Sequence, residues 1–242
     1  MEDVLDLSII IPVFNESSKI EKDVFAAADF LCEYDLSGEI IVSDDGSTDD
    51  TADKVKAIED PHGVDMRLLS LQSHLGKGAA VKEGILASSG RYVMFSDSGC
   101  CIGYEQAMRG LKLIENKECD LAFASRKLPD SVIKLDKGLW RRFCSFMFRL
   151  SAILIARVPA DLTDTQCGFK IFKGDVARKI FSECKTEGFL FDVEIVLRAA
   201  KYGYIIREFP VSWYCDLDSR LSAGQSTFGI LRDLFRLRRI VR

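Results

Sequence analysis

L-S-I-I-I-P-V-F-N-E at residues 7–16 and I-I-V-S-D-D-G-S-T-D-D-T at residues 40–51 decide the fold. Each opens as a continuous β-branched run, the pattern of a parallel strand buried on both faces. Each breaks off at polar residues where a helix should begin. In open α/β sheets ligands sit outside the carboxyl ends of the strands, so Pro12, Asn15, Glu16, Asp44, Asp45 and Ser47 should ring one crevice. Neither strand is followed by G-x-x-x-x-G-K-[ST] or G-x-G-x-x-G, which removes the main support for a P-loop or a dinucleotide fold. Acidic groups at such an edge suit ribose hydroxyls, a base N–H or a metal. The alternative for Asp44 and Asp45 is to cap a helix start around Ser47 and Asp49.

Outward from these runs, strands alternate with helical patterns, the mark of an α/β fold with a mostly parallel central sheet flanked by helices. The spacing predicts a helix from about Glu16–Lys19 to Tyr34, a strand over 39–43 and a helix capped near Ser47 or Thr48. It then predicts strands over 66–71, 91–96 and 120–125, with a helix over 79–87. Residues 127–137 read as a mobile loop. A long helix over 138–157, a strand near 168–173, a helix over 174–183 and a strand over 204–213 follow. The main domain is expected over residues 1–218, with 219–242 forming a polar loop and a basic amphipathic helix.

The 242 residues fit one large α/β domain, alone or with a small appendage. Apolar residues at 48% and charged residues at 29% allow a sizeable core. A formal charge of −4 gives no reason to expect nucleic acid, although basic residues outnumber acidic ones after Arg220. The eight cysteines show no C-x-x-C pair and the start carries no secretory leader. Reduced thiols in a cytosol are therefore expected rather than zinc or disulfides. The most apolar stretch, Phe143 to Val158, is shorter than the roughly 20 residues a spanning helix needs and contains Arg149 and Arg157. Membrane contact should be peripheral.

P-V-F-N-E followed by D-D-G-S-T-D-D-T resembles the opening signature of family-2 glycosyltransferases with the GT-A nucleotide-sugar fold. The resemblance runs from about residue 7 to 238. It implies a nucleotide-sugar donor, a nucleoside held by Pro12, Phe14, Glu16, Val42 and Asp44, and a divalent cation, Mg²⁺ or Mn²⁺. Asp97, closing Y-V-M-F-S-D-S-G, takes the first position of the D-x-D motif. The carboxylates of that motif hold the cation against the donor diphosphate, where a Lewis acid stabilises the charge that develops on the leaving group. Hard cations take oxygen ligands. The sequence departs from the motif at Gly99, which stands where the second aspartate belongs and leaves Ser98 or water to fill the gap. L-G-K-G-A-A-V-K-E-G, residues 75–84, also resembles the family. Its glycines would let the backbone approach a ligand and Lys77 would face the diphosphate, though helix-start chemistry explains the same residues. Arg126, ending A-S-R, suits a phosphate through its guanidinium fork, or a surface ion pair.

D-L-T-D-T-Q-C-G-F-K-I-F, residues 161–172, resembles the D-x-Q-C-G-F-K segment of dolichyl-phosphate β-glucosyltransferases and, more loosely, the S-G-F-R segment of dolichyl-phosphate mannosyltransferases. F-L-F-D-V-E-I (189–195) and Y-G-Y-I-I-R-E-F-P-V-S-W (202–213) point to the same polyprenyl-phosphate branch. The processive-synthase signature Q-x-x-R-W is absent, which counts against polymer synthesis. R-L-S-A-G-Q-S-T, residues 220–227, is similar to the mannosyltransferase acceptor loop R-x-x-G-x-S-K, with one extra residue and Thr227 in place of the lysine. The resemblance assigns Arg220 and Ser226 to the acceptor phosphate, and Asp164 and Glu194 to the sugar or acceptor region.

The expected activity is inverting transfer of a hexose to a polyprenyl phosphate at the cytosolic membrane face, with UDP-glucose ahead of GDP-mannose as donor. A phosphate monoester, with a second pKa near 6, is already an anionic nucleophile, whereas a hydroxyl acceptor needs a general base. Neither His62 nor His74 stands where a base would, so Asp164 is the candidate, or else it orients the following backbone. Two rivals follow: a transferase to a hydroxyl acceptor with Asp164 as base, and a nucleotide-sugar-binding protein whose catalysis weakened with its D-x-D. The helix over 138–157 and the C-terminal helix mix apolar and basic positions, and can lie in a bilayer interface or pack on the core. Many relatives carry membrane spans, so anchoring here falls to peripheral binding or to a membrane-anchored partner subunit.

Overall fold

The computed structural model describes residues 5–134, 139–214 and 227–241, without the side chains of residues 139–143, 227 and 228. The sheet is built around β1 (Leu7–Val13), whose seven residues are all buried. β1 pairs in parallel with β2 (Gly38–Asp44) along its whole length, from Leu7↔Gly38 to Val13↔Asp44. Beyond β2 lies β3 (Asp65–Ser70). On its other side β1 meets β4 (Tyr92–Ser96) only from Leu7↔Tyr92 to Ile10↔Phe95. Past that pair the two strands separate. β5 (Leu121–Ser125), β7 (Phe169–Lys173) and β8 (Ile206–Pro210) complete the order β3-β2-β1-β4-β7-β5-β8. All neighbours are parallel except β7, which runs antiparallel to both β4 and β5.

The strand order reverses between β1 and β4, and such a switch point opens a crevice at the strands' carboxyl ends. Pro12 sits beyond the last β1–β4 pair, where a residue without an N–H can be accommodated at the rim of a central strand. The period of 2 along a strand sends alternate residues to opposite faces. Ile9 and Ile11 join the core covered by α1 (Ile20–Glu33) and α4 (Ala107–Glu115), whereas Ile10 joins the core covered by α3 (Lys77–Ala87), α6 (Gly174–Glu183) and α7 (Phe191–Tyr202). The continuous apolar run of β1 is what two covered faces require.

Four local features differ from expectation. α2 begins at Thr51 and runs to Lys56, because Ser47 and Thr48 are engaged by Asn15: the Asn15 N–H donates to Ser47 Oγ at 2.8 Å, and the Thr48 N–H to Asn15 Oδ1 at 2.7 Å. The stretch expected as a loop over 127–137 contains β6 (Val132–Ile133), paired in parallel with β9 (Ser212–Trp213). The single strand expected over 204–213 is accordingly split into β8 and β9. The long helix is α5 (Leu139–Ser151), which loosens into a π turn over Ala152–Ala156 and stops at Arg157, φ 65°. α8 (Thr227–Val241) buries Leu234, Leu237 and Val241 against α7 and that π turn. No described helix is long and apolar enough to cross a membrane.

β7 and α7 are joined by an ion pair sealed from water. Lys170 Nζ, fully buried between the rings of Phe95 and Phe123, lies 2.6 Å from Asp192 Oδ1 and donates to the Cys167 carbonyl. Removing one partner of a buried pair leaves an uncompensated charge and costs about 3–5 kcal/mol. Asp192→Ala is therefore expected to lower the unfolding free energy by that order in urea titrations. The double variant Lys170→Met/Asp192→Leu should recover most of the loss, since neither charge then remains.

Candidate active site

The crevice is built by loops that hydrogen-bond one another before any ligand arrives. Asn15 takes a left-handed backbone, φ 53°, and its side-chain oxygen accepts from the N–H groups of Thr48 and Asp49. The Glu16 N–H donates to Thr51 Oγ1 at 2.9 Å, and Lys19 lies 3.6 Å from the Glu16 carboxylate. Asp44 accepts from the Ser47 N–H at 3.0 Å. Asp45 accepts from the N–H groups of Leu75 and Gly76 and pairs with His74 Nδ1 at 2.7 Å. Contrary to the capping reading, neither caps a helix around Ser47 and Asp49: Asp44 closes a turn, and Asp45 holds the segment that leads into α3. His74 was passed over in the sequence, yet its ring stacks on Phe14 with centroids 3.9 Å apart. Pro12 is buried within β1, and Val42 is wholly enclosed in the core. The side chain of Val42, expected at the nucleoside, is therefore a core side chain.

At the carboxyl end of β4 the D-S-G turn is folded around a carboxylate from α1. The Gly99 N–H donates to both oxygens of Asp23, at 3.0 and 2.8 Å, and Cys100 Sγ lies 3.0 Å from Oδ1. Burial lifts the Asp23 carboxyl above its usual range, against the opposing pull of its Cys100 and Gly99 hydrogen bonds. The Ser98 hydroxyl is sealed from solvent beside the Asp23 carboxylate. Asp97 sits next to Lys77, whose ammonium lies 2.5 Å from Oδ1. Burial alone would depress Lys77, but Asp97 and Asp192 hold it above the usual lysine range. Gly168 lies directly beneath this carboxylate. Its carbonyl accepts the Asp97 N–H at 2.8 Å, and a Cβ at position 168 would overlap the Asp97 oxygens. The glycines of the 75–84 segment serve packing in the same way: a Cβ on Gly78 would fall 2.5 Å from the Thr186 carbonyl. Gly76 and Gly78 admit the loop before α7, and Gly84 packs on Ile10.

Arg126 and Asp164 form a second centre beyond β5. Arg126 Nε and Nη2 donate to the two Asp164 oxygens at 2.7 and 2.9 Å, and the Arg126 N–H adds a third bond. Glu208 fixes the loop from below by accepting the N–H groups of Thr163 and Asp164. Burial alone would raise Asp164, yet the guanidinium holds its carboxyl below the usual range. A carboxylate so occupied is a weak proton acceptor. Arg126, Lys127, Arg149 and Asp164 line a narrow cleft with Phe148 and Gln166. Burial, with repulsion from Arg126 and Arg149, keeps Lys127 below its usual range despite the pull of Asp164. Glu194 is not at this site: fully buried, it accepts from the N–H groups of Lys185 and Thr186 and from Arg198. Its expected place at the acceptor is corrected to a structural one. Arg220 and Ser226 lie outside the described residues.

The family model for glycosyl transferase family 2 matches residues 8–181. The chain is 33% identical to a dolichyl-phosphate β-glucosyltransferase of Dictyostelium discoideum, covering 98% of this chain and 75% of that protein. It is 30% identical to the enzyme of the same name from Saccharomyces cerevisiae, over 96% and 74% of the two chains. Its fold is similar to glucosyl-3-phosphoglycerate synthase from Mycobacterium tuberculosis, solved with Mn²⁺, UDP and glucosyl-3-phosphoglycerate. There the TM-score is 0.62 at 17% identity, covering 86% of this chain and 71% of that one.

The residues present do not fit a protein-built divalent site of the D-x-D kind. One of the two carboxylates is missing at Gly99, and the other is already paired with an ammonium. Among the described residues no group of three or more His, Cys, Asp or Glu side chains could hold a metal ion. At an effective dielectric of about 20, charges of +2 and +1 about 4 Å apart repel by roughly 8 kcal/mol. A divalent ion on Asp97 would meet that repulsion from Lys77.

The Arg126–Asp164 pair has a pH signature. The folded pKa of Asp164 lies below its ordinary value of 3.8, so the pair's contribution is complete above that value and is lost as the pH falls through the lower folded one. The stability difference between wild type and Asp164→Asn, followed by urea unfolding, is expected to be flat from about pH 5 to 8 and to shrink below about pH 4. A difference that shrank instead above pH 6 would contradict this assignment.

Proposed function

The chain belongs to glycosyl transferase family 2, and we propose that it moves glucose from UDP-glucose onto a polyprenyl phosphate of the dolichyl type, with inversion, at the cytosolic face of a membrane. The names of the relatives at 30–33% identity support the acceptor and the sugar. The observation that carries the reading is the cleft lined by Arg126, Lys127 and Arg149, on a helix whose other side carries an exposed apolar stripe continued by its π turn. Phe146, Met147, Leu150 and Leu154 form that stripe, and Leu154 is 68% exposed.

A phosphate head matches the cationic cleft, and the apolar stripe, about half a turn round α5 from the residues that line the cleft, suits contact with the bilayer that holds the lipid chain. The acceptor needs cations more than a base, because a phosphate monoester is anionic at neutral pH. Asp164, committed to Arg126, suits positioning and not deprotonation, which favours this acceptor over a hydroxyl. Lys127 is held in an environment that opposes its own charge, and a phosphate dianion would relieve that opposition. In this reading Phe14 and Asp44 face the nucleoside, Lys77 and Asp97 the diphosphate, and Arg220 with Ser226 the acceptor. In-line attack of the acceptor oxygen on the anomeric carbon, opposite the departing UDP, inverts the configuration. Phe235 and the exposed Arg232, Arg236 and Arg239 of α8 give a second basic and apolar surface for peripheral binding.

The decisive assay is transfer of labelled glucose from UDP-glucose to dolichyl or undecaprenyl phosphate in mixed micelles, with GDP-mannose and hydroxyl acceptors as competitors. A charge-assisted contact contributes about 1.5–3 kcal/mol, so Lys127→Met and Arg149→Ala should each lower transfer by one to two orders of magnitude while UDP binding survives. Full activity in both variants, or faster transfer to a sugar hydroxyl, would move the hydroxyl-acceptor reading ahead.

A further inference from the structure

We infer that this chain holds its donor diphosphate without a divalent cation, the Lys77 ammonium on Asp97 being the resident positive charge; the inference rests on the nucleotide-sugar reading above. The position that should carry the second metal-binding carboxylate is Gly99, and its backbone, at φ +95°, is one that an aspartate rarely adopts. Its N–H is drawn toward α1 by both oxygens of Asp23. The turn is therefore built around a carboxylate from α1 that its own backbone N–H already occupies. No other described cluster of His, Cys, Asp or Glu replaces the missing ligand.

Lys77, in contrast, is held firmly where a cation is wanted. It opens α3, and Gly78 beside it is packed against the Thr186 and Glu187 carbonyls, so the helix start cannot retreat. The rings of Phe95 and Phe191 flank its ammonium, 5.9 and 5.7 Å from the nitrogen. Asp192, the other acid near it, is already taken by Lys170. The charge count agrees. A divalent ion between two carboxylates is locally neutral, and so is one ammonium on one carboxylate. An ammonium has three donors, which leaves protons for phosphate oxygens while Asp97 orients the group.

Calorimetric titration of the full chain with UDP and UDP-glucose, in EDTA and then in millimolar Mg²⁺ or Mn²⁺, tests this. Dissociation constants in the two buffers are expected to agree within about twofold, and Lys77→Gln to weaken binding in EDTA at least tenfold. Free Mn²⁺ followed by its paramagnetic resonance signal should fall no further with protein and UDP together than UDP alone makes it fall. Binding at least tenfold tighter with metal overturns the inference and leaves the donor reading standing, as does wild-type affinity of Lys77→Gln in EDTA. No UDP binding in either buffer overturns both. If Lys77→Gln fails to fold by thermal melting, the paired wild-type titrations and the Mn²⁺ signal still decide.

Discussion

The fully buried Lys170–Asp192 pair is the constraint on which the arrangement of this site depends. Two charges removed from water carry a desolvation cost of several kcal/mol each, recovered only through close geometry and further hydrogen bonds. Here the ammonium also reaches the Cys167 carbonyl and sits between two aromatic rings. The pair ties the antiparallel strand β7 to the first turn of α7, and Asp192 stands beside Lys77. G-F-K and F-L-F-D, which look like separate motifs in the sequence, are two halves of one contact. With Asp192 taken by Lys170, the ammonium of Lys77 pairs with Asp97.

Most carboxylates near the strand ends are spent on the protein itself. Asp23 gathers the D-S-G turn, Asp45 the start of α3, Asp164 the Arg126 fork, and Glu208 the loop beneath it. Each satisfies backbone N–H groups or a guanidinium that burial would otherwise leave costly. This is why an acidic residue at a loop is ambiguous in a sequence: capping and ligand binding call for the same side chains at the same places. Glu194 shows the ambiguity resolved against function, since the loop over 185–186 and Arg198 together fill its acceptor sites.

The central strands were legible because burial on both faces leaves a continuous β-branched run that nothing else in the chain imitates. β1, β2, β4 and β5 therefore stand within a residue or two of their expected places. β6 and β9 were not legible, for two paired residues carry no periodicity, and neither was the delayed start of α2, which depends on Asn15 reaching across from another loop. The site was partly legible. Asp97, Lys77, Arg126 and Asp164 do come together in interacting pairs, while the pairing itself is long-range and has no local signal. Val42 misled because a residue in a motif at a strand end can still point into the core. Lys127 and Arg149 left no motif, and only folding brings them to one cleft.

The antiparallel insertion of β7 explains how one short segment can support both the Asp97 and the Arg126 centres. Because β7 enters between β4 and β5 from the crevice side, the residues just before it pass under both neighbouring strand ends. At one end of that segment Gly168 supports Asp97, close enough that only a hydrogen fits between them. At the other, Asp164 grips Arg126, whose guanidinium also faces the Trp213 ring at 5.8 Å. A shift of this segment would therefore move the Asp97 carboxylate and the cationic cleft together. A parallel strand in the same place would deliver its preceding loop to the opposite edge of the sheet, and the two centres would lose their common floor. The strand's direction, invisible in its composition, is what couples them.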